Sequence, residues 1–376
     1  MNIVFTCGGT GGHINPAIAI ANEWKLRHPE DNILFIGGKG HMEETLVPKA
    51  GYELKVLPAE GLSRKKNMEA LRHNLHAAED AASAVHKCKK ILKEFGADIV
   101  VGTGGYASFP ALKAASRLKI PTCVHEANAM PGLTTRLAAS FVDKVLVCFP
   151  ESTKYYRHPE KAEVTGLPVR SEFIYTKKED ARRELGLDDR PLIVSAFGSQ
   201  GAKMMNQAMA GFMRLEQDAG FQYQHIHAIG SYGMSWMPDY IKAQGVDLEK
   251  ADGIRTQEYI YNMPTVMAAA DVIISRAGAS SCNEIAASGT PCILIPSPNV
   301  TDNHQEKNAR ALADHGAATL VLEKDCTPER LMAEVKALLE DKEKYTSMQK
   351  SMQSMVILDS AQRLCDIMES LTLDRK

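Results

Sequence analysis

Short apolar runs, each ending in a polar or glycine-rich turn and followed by a helical pattern, recur along this chain and then start again partway down it. That alternation describes parallel α/β architecture, because a parallel strand needs a crossover, usually helical, to bring the chain back to the same edge. Met1–Cys7 reads as a first strand, followed by glycines and a helix from about Pro16 to Arg27. Asn32–Ile36, Asp98–Gly102, Thr122–His125 and Lys144–Cys148 read as further strands. The series restarts at Pro191–Phe197, with a glycine loop at Gly198–Gly201 and a helix behind it. Gln224–Ile229, Val272–Ser275 and Cys292–Pro296 continue it.

At 376 residues the chain is too long for one ordinary domain. A polar stretch from about Glu151 to Arg190 separates the two series and puts the boundary near Gly166. The expected division is a first domain over 1–165, a second over 166–346 and a helical tail over 347–376. In that tail Val356, Leu364, Ile367, Met368 and Leu371 form one apolar face. An internal echo supports two similar halves: DIVVGTGGYASFPALKAASRLKIPTCVHEAN from Asp98 and DVIISRAGASSCNEIAASGTPCILIPSPN from Asp271. Each reads strand, glycine turn, helix, proline, strand, polar loop.

A formal net charge of -2 excludes a polyanion-binding molecule as a whole, so no nucleic-acid partner is expected. No apolar run reaches the roughly 18 residues that span a bilayer. The start, MNIVFTCGGTGGH, lacks a basic segment and reads as a strand rather than a signal peptide. No two of the cysteines form a C-x-x-C pair, and most sit in strand-like contexts, which points to buried free thiols in a reducing compartment.

In doubly wound sheets ligands bind beyond the carboxyl ends of the strands, so the loops after strands carry the chemistry. Gly8-Gly9-Thr10-Gly11-Gly12-His13 lets backbone approach a ligand and leaves N–H groups at a helix start for phosphate. It is not a dinucleotide fingerprint, because Ile14 stands where the third glycine belongs and no acid follows at Gly37-Gly38. Gly198-Ser199-Gln200-Gly201-Ala202 would hold a diphosphate, unless Ser199 is merely a helix N-cap. In Arg276–Glu284 a carboxylate at Glu284 suits both hydroxyls of a ribose, but Ser281-x-x-Glu284 also fits a capping box. His304 and Gln305, after an Asp302-Asn303 cap, suit sugar hydroxyls. The first half adds Gly104-Gly105-Tyr106 and His125–Gly132. No Asp-x-Asp pair stands ready to bridge a diphosphate through a divalent ion, so helix N-termini and Arg170 must carry that charge; no metal and no cofactor are expected.

Together, Gly8–His13, Gly104–Tyr106, His125–Gly132, Gly166–Arg170, Gly198–Ala202, Arg276–Glu284 and His304–Gln305 resemble, in order and spacing over nearly the whole chain, the MurG family. Those N-acetylglucosaminyltransferases convert lipid I to lipid II in bacterial peptidoglycan synthesis. The resemblance implies a GT-B fold, two Rossmann-like α/β domains facing a cleft, with a C-terminal helix crossing back to the first. It implies inverting transfer from UDP-N-acetylglucosamine to lipid I at the cytoplasmic face of the membrane, by a peripheral protein that touches anionic lipid. By this similarity Ser199, Gln200 and Gly201 meet the diphosphate, helped by Ala279, Ser280, Ser281, Cys282 and Asn283 at a helix N-terminus. Glu284 takes the ribose, and the backbone of Ile260 the uracil. Gln305 and Asn128 contact the sugar, Arg170 lies on the donor side, and Thr10, Gly11 and Gly12 close over the reaction centre from the first domain, with Tyr106 in an acceptor-side loop.

Two departures stand out: Ala127 replaces the usual Gln of His-Glu-Gln-Asn, and Leu167 the usual Asn of Gly-Asn-Pro-Val-Arg. Membrane docking falls to Met68, Leu71 and Leu75 beside Arg64, Lys65, Lys66 and Arg72. Lys87 to Lys93 reads instead as a solvated helix face. Inverting transfer needs a base for the acceptor hydroxyl, and His13 is the first choice, with His125 and Glu126 as alternatives. The rival readings are a glycosyltransferase acting on diacylglycerol, a UDP-sugar epimerase, and a sensor that only binds nucleotide sugar.

Overall fold

The computed structural model describes residues 1–57 and 83–373. These fall into two compact units, one formed by Met1–Val169 with Ile357–Lys376 and the other by Arg170–Val356.

The first unit is built on a seven-stranded sheet in the order β3-β2-β1-β4-β5-β6-β7, parallel throughout. The strands are β1 (Asn2–Thr6), β2 (Asn32–Gly38), β3 (Glu53–Leu57), β4 (Ile99–Gly102), β5 (Thr122–Glu126), β6 (Lys144–Val147) and β7 (Ala162–Val164). Alternation along the central strands divides the core between the two faces. Val4, Leu34, Ile36, Val100 and Val124 join one core, which also takes Val85, Cys88 and Leu92 from the helical residues 83–95 (α3). Lys87, Lys90 and Lys93 on the same helix point to solvent. Ile3, Phe5, Phe35, Ile99 and Val101 face the other way, with Phe5 and Phe35 stacked at 5.4 Å.

On that second face lie α1 (Gly11–Arg27) and α15 (Ser360–Leu373). Ile14, Ala17, Ile20, Ala21 and Trp24 of α1 pack with Leu364, Cys365 and Met368 of α15. Arg27 reinforces the contact by binding Asp366 and the Gln362 carbonyl, and His28 bonds Glu369 at 2.9 Å. The C-terminal helix thus belongs to the first unit. Residues 347–356 do not: they form most of α14 (Lys342–Met355), which buries Met348 and Met352 in the second unit.

The second unit repeats the topology with six strands, β10-β9-β8-β11-β12-β13. They are β8 (Leu192–Ala196), β9 (Gln224–Ala228), β10 (Ile254–Gln257), β11 (Val272–Ser275), β12 (Cys292–Leu294) and β13 (Thr319–Leu320). The internal echo now has a structural counterpart. β4 and β11 are the fourth strands of their sheets, each beside the first strand. Asp98 accepts from Asn2 N–H at 2.8 Å and Asp271 from Leu192 N–H at 2.7 Å, the same bond in both halves. All of the cysteines are free, and all but Cys326 are buried.

Candidate active site

At the carboxyl end of β1 the glycine loop is shorter than its sequence suggests. Thr10 is the N-cap of α1, so Gly11, Gly12 and His13 form its first turn, ahead of the start read at Pro16. Pro16, inside that helix, forfeits the bond its N–H would otherwise make to the Gly12 carbonyl. The His13 ring rests against the second glycine turn: a Cβ at Gly104, which has φ 102, would lie 2.7 Å from His13 Nδ1. His13 Nδ1 stands 3.1 Å from the Thr103 carbonyl, and the Thr103 hydroxyl donates to the His13 carbonyl at 2.7 Å. A ring nitrogen facing a carbonyl must carry the proton, so the lone pair of a neutral His13 belongs to Nε2. Gly105 is equally constrained, since a Cβ there would fall 2.2 Å from the Gly8 carbonyl oxygen. Tyr106 lies along Gly9 and edge-on to His41.

The other two candidate bases are buried. His125 is fully buried on β5 and donates from Nε2 to the Gly166 carbonyl at 2.8 Å. Burial holds its pKa below the ordinary value. Glu126 is 3% exposed. Its Oε1 accepts from Asn128 N–H at 3.0 Å and Asn128 Nδ2 at 3.1 Å, and its Oε2 from Gly132 N–H at 3.0 Å. That carboxylate shapes the loop that carries Asn128.

In the second unit the loop Gly198–Gly201 packs directly on the end of β9. Ser231 N–H donates to the Ser199 carbonyl and Tyr232 N–H to the Gln200 carbonyl, both at 3.2 Å. Ser199 and Gln200 are exposed, and Ser199 caps nothing: the N-cap of α8 (Lys203–Asp218) is Ala202. Next to this loop, Gly230 N–H donates to the Glu258 carbonyl at 2.9 Å, which fixes the segment leading to Ile260. Ile260 as a whole residue is 1% exposed, and its N–H and carbonyl have no backbone partner among the described residues.

Helix α11 (Ala279–Ser288) starts at the carboxyl end of β11 with Gly278 as N-cap. The capping-box reading of Ser281 and Glu284 therefore fails, because Ser281 is already the third helical residue. Ala279, Ser280 and Ser281 present the amides of an uncapped first turn, and Asn283 Nδ2 donates back to the Ala279 carbonyl at 2.9 Å. Cys282 is buried beneath them. Glu284 is half-buried, and no hydrogen bond reaches its carboxylate among the described residues. Desolvation pushes its pKa up to about 7, against the pull of the Arg170 charge. Arg170 also lies over the Phe173 ring at 5.0 Å.

After β12, Asp302 and Asn303 both take positive φ, 54° and 51°, before α12 (His304–Ala313) begins. Asn303 holds the N-cap position, but its side chain goes to Glu306. His304 Nδ1 faces the Thr301 carbonyl at 2.9 Å. Gln305 accepts from Ser297 N–H at 2.9 Å, which leaves its amide nitrogen as a donor.

Several supporting residues carry no residue-type signal in the sequence. Asn206 ties α8 to the Ile229 carbonyl at 2.7 Å, and Asn308 ties α12 to the Ala277 carbonyl at 3.1 Å. Arg276 is held by Glu323 and the Ile295 carbonyl, so it braces its loop. Glu43 reaches back under Gly9. Among the described residues, no group of His, Cys, Asp and Glu is arranged to hold a metal ion.

Residues 3–147 match the glycosyltransferase family 28 N-terminal domain and residues 192–364 the glycosyltransferase family 28 C-terminal domain. A protein of Acetivibrio thermocellus is 40% identical over 373 residues, covering 99% of this chain and 98% of its own length. It is named UDP-N-acetylglucosamine–N-acetylmuramyl-(pentapeptide) pyrophosphoryl-undecaprenol N-acetylglucosamine transferase. In fold, the chain is similar to the crystal structure of Acinetobacter baumannii MurG, with a TM-score of 0.77 at 24% identity over 98% of this chain and 99% of that one. A putative UDP-N-acetylglucosamine 2-epimerase from Listeria monocytogenes shares the fold at a TM-score of 0.70 and 15% identity, over 98% of this chain and 96% of that one.

Proposed function

The chain belongs to the MurG family of glycosyltransferases, and from that membership we propose that it transfers N-acetylglucosamine from UDP-N-acetylglucosamine to lipid I, undecaprenyl-diphospho-N-acetylmuramyl-pentapeptide, giving lipid II. The observation that carries this reading is the 40% identity to a transferase of that name across 99% of the chain.

The site chemistry suits the reaction. The second unit binds the donor. Ser199, Gln200 and the first turn of α11 offer N–H groups to the diphosphate, where negative charge grows as UDP departs, while Gly201 closes the turn through its own N–H on the Gly198 carbonyl at 3.0 Å. Glu284 accepts the ribose hydroxyls, the Ile260 backbone pairs with uracil, and Arg170 balances charge beside them. Gln305, with His304, addresses the sugar. The first unit serves the acceptor. The hydroxyl oxygen of the muramyl sugar attacks the anomeric carbon, the bond from that carbon to the diphosphate oxygen breaks with inversion, and the hydroxyl proton passes to His13 Nε2. Thr103 supports that assignment by fixing the tautomer. Glu126 and His125 we assign to holding the Asn128 loop and the chain at Gly166. Thr10, Gly11, Gly12 and Tyr106 shape the acceptor side, and Asn128 reaches the sugar.

An undecaprenyl acceptor resides in a membrane, so the enzyme works there as a peripheral protein at the cytoplasmic face. Among the described residues no helix is long and apolar enough to cross a membrane. The proposed docking residues, Arg64, Lys65, Lys66, Met68, Leu71, Arg72 and Leu75, lie outside the described residues.

The test is incubation of the purified protein with UDP-N-acetylglucosamine and a lipid I analogue, with the product linkage read by NMR. A β-linked disaccharide lipid is expected. Release of free UDP with no glycosylated product would instead assign the chain to the epimerase class that shares this fold, and transfer to diacylglycerol alone would reassign the acceptor.

A further inference from the structure

We propose that Glu43 is a positioning residue that sets the first glycine turn, and through it the base His13; the inference rests on the transfer reading above. Helix α2 (Glu43–Lys49) begins with this residue, and its carboxylate is fully buried. Oε1 accepts from Gly38 N–H at 2.9 Å. Both oxygens share Gly9 N–H, at 3.3 and 3.2 Å. One side chain therefore ties the carboxyl ends of β1 and β2 together.

The space around it is made of glycines. A Cβ at Gly37 would fall 2.6 Å from Glu43 Cγ, and Cβ atoms at Gly8 and Gly38 would fall 3.4 and 3.3 Å from Oε1. The Tyr106 ring closes the cradle, its hydroxyl 2.8 Å from where a Gly38 Cβ would stand. Among the described residues no cation pairs with this carboxylate. A buried, unpaired carboxylate is costly, and backbone N–H donors are what hold it there. In a dinucleotide-binding unit the acid near the end of the second strand faces outward to a ribose. Glu43, on the helix after β2 rather than at the strand end, is instead turned beneath the loop and closed to ligand.

The consequence for chemistry is geometric. Gly9 stands at φ 88 with its N–H on Glu43, Thr10 follows as N-cap, and α1 starts at Gly11. The direction of that turn decides where His13 projects, two residues into the helix. A glutamine at position 43 would direct an amide donor at one of the two N–H donors, so it fits the space but not the bonding. An aspartate keeps the charge but falls one methylene short of Gly9.

The experiment compares Glu43→Gln and Glu43→Asp with wild type in kcat, donor KM, UDP affinity, the pH–rate profile and thermal unfolding, with Gly9 amide exchange followed by NMR. In Glu43→Gln, kcat falls about 10- to 100-fold, UDP affinity stays within about twofold, the acid limb of the profile moves and the Gly9 amide loses protection. Glu43→Asp recovers part of kcat. A kcat within about twofold of wild type and an unmoved acid limb in a folded Glu43→Gln overturn the inference. If that variant does not fold, Glu43→Asp decides, and an unchanged kcat there overturns it as well. Absence of transfer by wild type refutes the reading beneath. The Gly9 amide reports on the Glu43 contact independently of turnover, and unchanged protection in both variants sinks the proposal.

Discussion

Replacing Glu284 by glutamine should separate what this carboxylate costs the fold from what it gives the donor. Burial raises its pKa from the ordinary 4.5 to about 7. Between those values the folded chain holds a proton that the unfolded chain has released. Stability from this group is therefore fully present below about 4.5, declines as pH rises through the window, and is lost above about 7. At about 1.4 kcal/mol per pH unit, the interval from 4.5 to about 7 corresponds to a penalty on the order of 3 kcal/mol. Glu284→Gln, which cannot ionise, should then unfold at higher temperature than wild type near pH 8, with that figure as a ceiling, and the gain should shrink toward pH 5. The donor moves oppositely. If the ionised carboxylate accepts the ribose hydroxyls, UDP affinity in wild type should weaken about tenfold between pH 8 and pH 6, as protonation competes with binding. In Glu284→Gln it should be lower by about 2–3 kcal/mol at pH 8, roughly 30- to 150-fold, the worth of charge-assisted hydrogen bonds. Calorimetric titration with UDP and thermal melts across this range read both effects. Equal UDP affinity in the two proteins, with no pH dependence in wild type, would refute the ribose assignment and leave Glu284 as a buried acid without a ligand.

Three further outcomes are expected. His13→Ala should lower kcat by about 10²–10⁴-fold with UDP affinity unchanged, and the acid limb of the pH–rate profile should vanish; a loss under tenfold with that limb intact would remove His13 as the base. Transfer should persist in excess EDTA, and complete loss restored by magnesium or manganese would reveal an unrecognised metal site. Charge reversal at Arg64, Lys65 and Lys66 should reduce co-sedimentation with anionic vesicles, each cation being worth about 1 kcal/mol at low salt, and insensitivity to the reversal would move the docking surface elsewhere.

The central strands were legible because they are buried on both faces and read as short apolar runs, as Ile99–Gly102 and Val272–Ser275 do. The outer strands were not. β3, Glu-Leu-Lys-Val-Leu, exposes most of its residues, and β13 has only two. The start of α1 was misplaced because consecutive glycines signal a turn, whereas Gly11 and Gly12 adopt helix and Thr10 takes the extended N-cap conformation. Glycine turns at strand ends were legible as turns, yet their partners across the sheet were not. Thr103 acts on His13 through a backbone carbonyl, and any residue type supplies one. Glu43 acts on Gly9 from 34 positions away, where sequence shows only an acid at a helix start.

What an acid in these loops does is decided by what its oxygens already hold. Glu43 takes the N–H groups of Gly38 and Gly9, and Glu126 those of Asn128 and Gly132. Both are nearly or fully buried, and both have backbone donors fixed in place, so each holds a loop in shape and is poorly placed to take up a substrate proton. His125 is fully buried, so its unpartnered Nδ1 lies out of reach of a substrate hydroxyl, and burial rather than bonding sets it apart from His13. In the first unit that argument supports the proposal that the half-buried His13, oriented through Nδ1, takes the acceptor proton. Glu284 differs in kind. It sits half-buried with no hydrogen bond of its own among the described residues and a raised pKa, so its bonding capacity is available to a ligand. A group left in that condition destabilises the unliganded fold, and a hydroxyl-bearing nucleotide would relieve it, which ties donor affinity to the same desolvation that raises the pKa.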